Sequence, residues 1–439
     1  MMDKPRINVH WFRRDLRLED NHALFRALAD HGNVLSLFIF DTDILDRLEQ
    51  RNDRRVDFIH RALQRIKRRL EERGSTLLVK HGKPLDVWRQ LLQQYAVDAV
   101  TAVHDHEPYA LERDKAVREM LEQHGVIFRT FKDISVFERD EVLKADGTPY
   151  TVFTPYGRKW RSLLDEQALQ HFPSEAQLDR LAVHDPSSFP PLAEIGFEAT
   201  DLREPPPEVP DRLIAEYGKT RNLPGMAGTS RLGVHLRFGT VSVRALARQA
   251  MGQGEVFLNE LAWREFFMQL LWHYPHVVDR SFKPAYDHIP WRDDPTGFEA
   301  WCQGRTGFPF VDAGMRELAA TGFMHNRARM VTASFLVKDL LIDPKLGETW
   351  FARHLLDFEL SSNNGNWQWA SGSGCDAAPW FRVFNPTLQL ERFDPELRYV
   401  HRWVPEYGTF DYPVPIVDHA AAVKRTISRY KTTLDEWKA

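Results

Sequence analysis

The chain is short of cysteine, of strong net charge and of long apolar runs, and each shortage closes a class of function. Its 439 residues hold 2 cysteines, Cys302 and Cys375, far apart and at no metal-ligand spacing. Iron–sulfur and structural zinc sites are thereby excluded, and no metal is expected. No apolar run reaches the length of a membrane span, and Met1 to Asn8 lacks a signal-peptide core, so no membrane partner and a cytoplasmic residence are expected. A formal net charge of −4 makes no global case for nucleic-acid binding, which would need a local basic patch. No G-x-G-x-x-G follows the first apolar run, and no P-loop, HExxH or Ser-His-Asp order occurs. The standard dinucleotide, NTPase and hydrolase signatures are therefore missing.

What the chain does have is tryptophan, 13 in all, several beside polar residues, which points to stacking or redox roles as well as packing. The densest stretch is Asp357 to Pro386, DFELSSNNGNWQWASGSGCDAAPWFRVFNP. Its apolar positions follow neither a helical nor a strand period. Amides and acids are costly to bury unless they are hydrogen-bonded, so the mixture suits a polar ligand with flat rings. A capped helix junction with aromatic core residues accounts for it equally well.

Apolar runs at Ile7–Phe12, Val34–Phe40, Thr76–Val79, Val97–Val103 and Val126–Phe131 alternate with charged amphipathic stretches, notably Arg54–Arg73 and Ala110–His124. Such alternation predicts an α/β domain with a doubly wound, parallel five-stranded sheet over residues 1–131. Residues 132–205 read as a connector, rich in Pro, Ser and acids from Phe172 on and lying over the surface. From residue 206 to 439 the strand signals stop, and Val241–Ala250, Leu258–His273, Ala313–Thr321 and Asn326–Ile342 carry helical spacing. The second half is expected to be an all-α domain.

Within it, Tyr217 precedes Gly228-Thr229-Ser230-Arg231-Leu232, where Thr229 or Ser230 could cap a helix whose free N–H groups suit a phosphate. Glu260 and Trp263 lie one helical turn apart, a carboxylate beside a large ring, as a nucleobase edge would require. Asn326, Arg329 and Met330 share another turn, and a buried Arg329 would need Asp357 or Glu359 as partner. Arg221, Arg264, Arg327 and Arg382 lie near these motifs and could form the local basic patch. Each has an ordinary alternative, a helix cap, an amphipathic helix or a solvated face.

Taken together, HWFRRDLRLEDNHAL, GTSRL, ELAWREF, GFPFVDAGMREL, GFMHNRARMVTASFLVKDLLID and NNGNWQWASGSGCDAAPWFRVFNP resemble the photolyase/cryptochrome family in order and spacing. The resemblance is closest to its class I-like cyclobutane pyrimidine dimer (CPD) photolyases and covers nearly the whole chain. It implies a light-driven DNA-repair enzyme acting on UV-damaged DNA, with one flavin adenine dinucleotide (FAD) in the helical domain; a cryptochrome-like photoreceptor signalling through a protein partner is the alternative. By resemblance, Tyr217, Thr229, Ser230, Arg231 and Leu232 match positions around the FAD phosphates and ribitol. Arg329, Asp357 and Asn363 match those around the flavin ring, with Asn363 near its reactive nitrogen, and Glu359 stands where many relatives have Asp. Trp263, Arg264 and Asn326 are expected at the cofactor too. Glu260, Trp263, Asn326, Met330 and Trp369 match the pocket for a flipped-out dimer, and Arg221, Arg264, Arg327, Arg382 and Gln389 the DNA-contacting positions. The resemblance makes Glu260, Asn326, Met330 and Asn363 the catalytic set.

Two departures follow. Relatives reduce their flavin through three tryptophans; Trp367 matches the inner one and Trp291 the exposed one, but Pro344 stands at the middle position. Photoreduction is therefore expected to be slow or to detour through Trp350 or Trp380, with repair by pre-reduced flavin intact. Glu112 matches a folate-antenna residue whereas Leu111, Val278 and Asp279 do not, which counts against a folate antenna and leaves a deazaflavin antenna or none equally open. A monomer is expected.

Overall fold

The computed structural model describes residues 4–438; Met1–Asp3 and Ala439 lie outside the described residues. The chain packs into two units, each built from separate stretches. One comprises the N-terminal stretch through Glu138, Ser162–Glu208 and Arg231–Met251; the other comprises Arg139–Arg161, Val209–Ser230 and everything from Gly252 on. No helix among the described residues is long and apolar enough to cross a membrane.

The first unit is built on five parallel strands, β1 (Arg6–Phe12), β2 (Val34–Asp41), β3 (Leu77–Gly82), β4 (Ala96–Val103) and β5 (Ile127–Phe131), in the order β3-β2-β1-β4-β5. All eight residues of β2, VLSLFIFD, are buried, as a strand covered on both faces requires. This is the doubly wound sheet that the alternating pattern predicts.

The charged turn after β1 is not a surface feature. Asp133, fully buried, accepts from Arg17 at 2.6 Å and from Arg244 at 2.8 Å. Asp20 accepts from Arg244, Arg248 and Ser242 at 3.0, 2.9 and 2.7 Å, and Asp15 is held by His10 and Asn21. These arginines hold the carboxyls of Asp133 and Asp20 below the usual carboxylate range despite the opposing cost of burial. Gly239, at φ +67°, closes the arrangement: a Cβ there would stand 2.0 Å from the Arg14 carbonyl oxygen.

Packing groups the chain differently from its order. Residues 231–251, read from sequence with the helical half, belong to the α/β unit because Arg244 and Arg248 neutralise its buried acids. The Pro-rich connector is not a loose surface strap either. Leu181 pairs with Val34, Thr200 bonds Asp57 at 2.9 Å through its N–H, and Leu178, Ile195, Phe197 and Leu202 are buried. Its few apolar residues are spaced to fill gaps along the unit, a placement that composition does not reveal.

The second unit is helical. Its spine, Glu255–His273, buries residues on every side, including Glu265, whose carboxylate accepts from the Trp160 indole N–H at 2.6 Å. The single helix expected over Asn326–Ile342 breaks in two. It is α-helical over Asn326–Ser334 and then makes one π-helical turn, Phe335–Asp339. The wider turn lets Lys338 reach the Ser371 carbonyl at 2.9 Å and Asp339 meet His419, contacts that a continued α-helix would aim elsewhere.

Candidate active site

The segment richest in polar and aromatic residues folds as a helix, Leu360–Ser371, and its failure to show a period has a physical cause: no side of it is idle. Asn364 and Gln368 both donate to the Val277 carbonyl at 2.9 Å. Trp367 enters the core at 2 % exposure. Gly365 lies so close to Phe267 that a Cβ would stand 2.1 Å from its ring. Helices engaged all round lose the apolar stripe on which periodicity depends. Beside it, Gly347 lets the helix Pro344–His354 close onto Trp367, where a Cβ would stand 2.1 Å from the indole.

The remaining side faces an open cavity. Asn326, Arg329, Met330, Asp357, Asn363 and Trp369 line it. His325 caps the helix that carries the first three, accepting from the Arg327 N–H at 3.1 Å. Arg329 pairs with Asp357 at 2.9 Å, as a half-buried guanidinium requires. Glu359, the other partner considered for Arg329, also lines the cavity but takes Arg264 instead, through two hydrogen bonds of 3.0 Å. Asn363 donates its amide to the Glu348 carbonyl at 3.1 Å, which turns its oxygen into an acceptor for an N–H in the cavity. Glu348 was not singled out from the sequence. Its carboxyl accepts from Asn364 at 3.1 Å, and burial pushes it up to about 7. One acid in an ordinary amphipathic helix gives no sequence signal.

Glu260 pairs with Arg221 rather than standing free, and burial raises its carboxyl despite that partner. Tyr217 lies near, its phenol pushed up to about 12 by burial with Glu260 close by. Trp263 stacks face to face on Phe153, centroids 3.6 Å apart at 7°, and Phe153 is a partner that the sequence reading missed. Thr229 and Ser230 do not cap the next helix. Gly233–Phe238 starts from Leu232 with no side-chain cap, because Arg231 takes a left-handed φ of +53° and delays the helical run.

The basic patch forms in part. Burial, then the charges of Arg221, Arg392 and Arg382, lower the Arg327 guanidinium, so these four face one region. Arg392 was missed, and Arg264 is absorbed by Glu359. Arg327 also bonds Asn222 at 2.7 Å and lies 4.1 Å over the Phe393 ring. Gln389, nearby on Pro386–Phe393, keeps a buried side-chain oxygen without a partner. No cluster that could hold a metal ion occurs among the described residues.

The tryptophans make two groups of ring contacts, with Trp291 also packed against the core cluster that holds Trp301 and Trp367. Trp291 and Trp380 both meet Tyr430, at 5.9 and 6.2 Å between centroids. Trp367 instead touches Trp301 at 6.2 Å and Phe351 at 5.0 Å. Trp301 was overlooked because its immediate neighbours, Ala300 and Cys302, do not mark it.

Comparison with known proteins agrees with this architecture. The family model described as DNA photolyase matches residues 8–176, and that described as the FAD binding domain of DNA photolyase matches residues 257–411. A deoxyribodipyrimidine photo-lyase of Halobacterium salinarum is 36% identical, over 97% of this chain and 99% of that protein. A crystal structure of a bacterial class III photolyase from Agrobacterium tumefaciens superposes with a TM-score of 0.86 at 31% identity, covering 99% of this chain and 98% of that one. A cryptochrome from Synechocystis gives a TM-score of 0.85 at 25% identity, covering 98% and 100%. The chain belongs to the photolyase/cryptochrome family.

Proposed function

We propose that this chain is a light-driven DNA-repair enzyme that splits cyclobutane pyrimidine dimers, holding FAD in the helical unit. The observation that carries the reading is the cavity itself: it joins Asn363 and the Arg329–Asp357 pair to Asn326, Met330 and Trp369. The first group suits a flat ring with an imide edge and an N–H to be accepted. The second suits a pyrimidine pair with carbonyls to be bonded and rings to be covered. The donor set fits the flavin on chemical grounds, with Asn363 already turned to accept. FAD, bound and reduced, supplies the photoexcited electron that opens the cyclobutane ring and regains it afterwards.

The chain's own residues then orient and exclude water. Arg329 and Asp357 hold one edge of the cofactor site, and Glu359, fixed by Arg264, presents a carboxylate whose position cannot drift. Asn326 and Met330 share one helix turn and present an amide beside an apolar thioether. Glu260, raised by burial, offers its carboxyl to a thymine edge when Arg221 turns toward a phosphate. Extruding the dimer costs only a few kcal/mol because the lesion already weakens stacking and pairing. Arg221, Arg327, Arg382 and Arg392 supply phosphate contacts, so affinity falls with salt.

The test is illumination of the reduced protein with duplex and single-stranded DNA carrying CPDs or (6-4) photoproducts. Splitting of the CPD in duplex DNA is expected. No splitting there, with light-dependent capture of a protein partner instead, would replace repair by photoreception.

A further inference from the structure

The stretch Arg139–Arg161, read from sequence as connector, packs in the helical unit and carries most of a helix, Phe153–Ser162. From its contacts we infer that Phe153 and Asp376 are positioning residues for Trp263, setting that ring before a lesion arrives. The inference rests on the dimer pocket proposed above.

The helix is bound to one stripe of the spine Glu255–His273. Arg161 donates to Asn259 at 2.9 Å, Phe153 stacks on Trp263 with centroids 3.6 Å apart at 7°, and Tyr156 meets Phe266 at 5.2 Å. Asn259, Trp263 and Phe266 follow one another at four and three residues, the spacing of a single helix face. Trp160 adds its 2.6 Å bond to Glu265. Trp263 and Phe153 are both half-buried, so their stack is not an ordinary core contact. Phe153 takes one face of the indole, and Phe266 and Phe267 flank it, each 5.7 Å away. A ring ordered in advance spares binding the entropy of ordering it.

Phe153 is itself fixed from outside its helix. Its N–H, the first of that helix, donates to the Asp376 carboxylate at 2.8 Å, where the helix dipole favours a negative charge. Asp376 follows the helix Leu360–Ser371 that carries Trp369, and the Ala378 N–H closes back on the Trp369 carbonyl at 3.3 Å. One carboxylate thus ties Trp263 and Trp369, the two rings assigned to the dimer, to a common frame. Gly157 completes the platform. A Cβ there would stand 3.2 Å from Phe153 Cζ, close enough to displace the ring. Glycine is a poor helix former, and the ring above it gives this one its reason.

The experiment uses the full flavin-loaded chain with 5-fluorotryptophan in place of tryptophan. The Trp263 resonance in fluorine NMR is identified by its loss in Trp263→Phe and is read without DNA. Phe153→Leu keeps the apolar bulk but removes the flat ring. It is expected to move or split that resonance, and to raise KM for a CPD duplex about tenfold against a change in kcat under about twofold. Gly157→Ala favours the helix yet displaces the ring, so the resonance should move there too, with a smaller rise in KM. Asp376→Ala is expected to move it as well, and an unmoved resonance removes Asp376 from the proposal. An unmoved Trp263 resonance in Phe153→Leu, or a moved one with wild-type KM, overturns the platform. Should Phe153→Leu lose its fold, Gly157→Ala decides by the same two readings. A chain whose resonance moves in these variants but whose wild type splits no CPD loses the repair reading and leaves the platform standing.

Discussion

Both units bury charged side chains, but they bury them to different ends. In the α/β unit, Arg17, Arg244 and Arg248 close on Asp20 and Asp133. In the helical unit, Arg329–Asp357 and Arg264–Glu359 are also paired, yet Arg329, Asp357 and Glu359 line an open cavity. A buried ion pair is therefore no mark of a site. What distinguishes one is a pair satisfied on one side and facing empty space on the other.

The largest effect expected of this contrast is structural. Asp133→Ala strands two buried guanidinium groups and should cost about 3–5 kcal/mol in urea unfolding. A loss under about 1 kcal/mol would break the comparison. Glu348, whose backbone carbonyl holds Asn363, sharpens it from the helical unit. Its carboxyl stays protonated in the folded chain up to about pH 7 but ionises from about 4.5 when unfolded, so the wild type loses stability as pH rises across that window. Glu348→Gln removes the loss and should gain up to roughly 3 kcal/mol at pH 8 and close to nothing at pH 4. Equal gains at both pH values would show that the carboxyl is not held neutral.

A smaller effect is expected where a pair faces the cavity. Asp357→Asn should weaken flavin retention about tenfold, or about 1.4 kcal/mol, while thermal unfolding of the flavin-free chain shifts far less than in Asp133→Ala. If both variants lose stability alike, the distinction between the two kinds of pair fails. Smallest of all, Arg327→Ala should weaken binding evenly across DNA sequences and reduce the slope of log affinity against log salt by about 1. An unchanged slope would remove Arg327 from the phosphate contacts.

The sheet was legible because short apolar runs recur at regular intervals between charged amphipathic stretches, and the order of motifs carried the family. The grouping of 231–251 with the α/β unit was not, since it depends on arginines finding acids more than a hundred residues away. The cavity wall was readable where it concentrates unusual residue types, as in Ser362-Asn363 and in Asn326, Arg329 and Met330. Glu348, Phe153, Arg392 and Trp301 escaped because each looks ordinary among its sequence neighbours and acquires its role only by proximity. The helix Leu360–Ser371 shows the reverse case, an element concealed by being useful on every side.

Gly347 has a further consequence in the history of the chain. A side chain there cannot coexist with the indole of Trp367, so the two positions must drift together or not at all. Descendants that abandon the tryptophan are free to fill position 347, and once it is filled the return path is closed by volume alone. Comparing positions 347 and 367 across lineages would therefore date the loss of that indole as a one-way step.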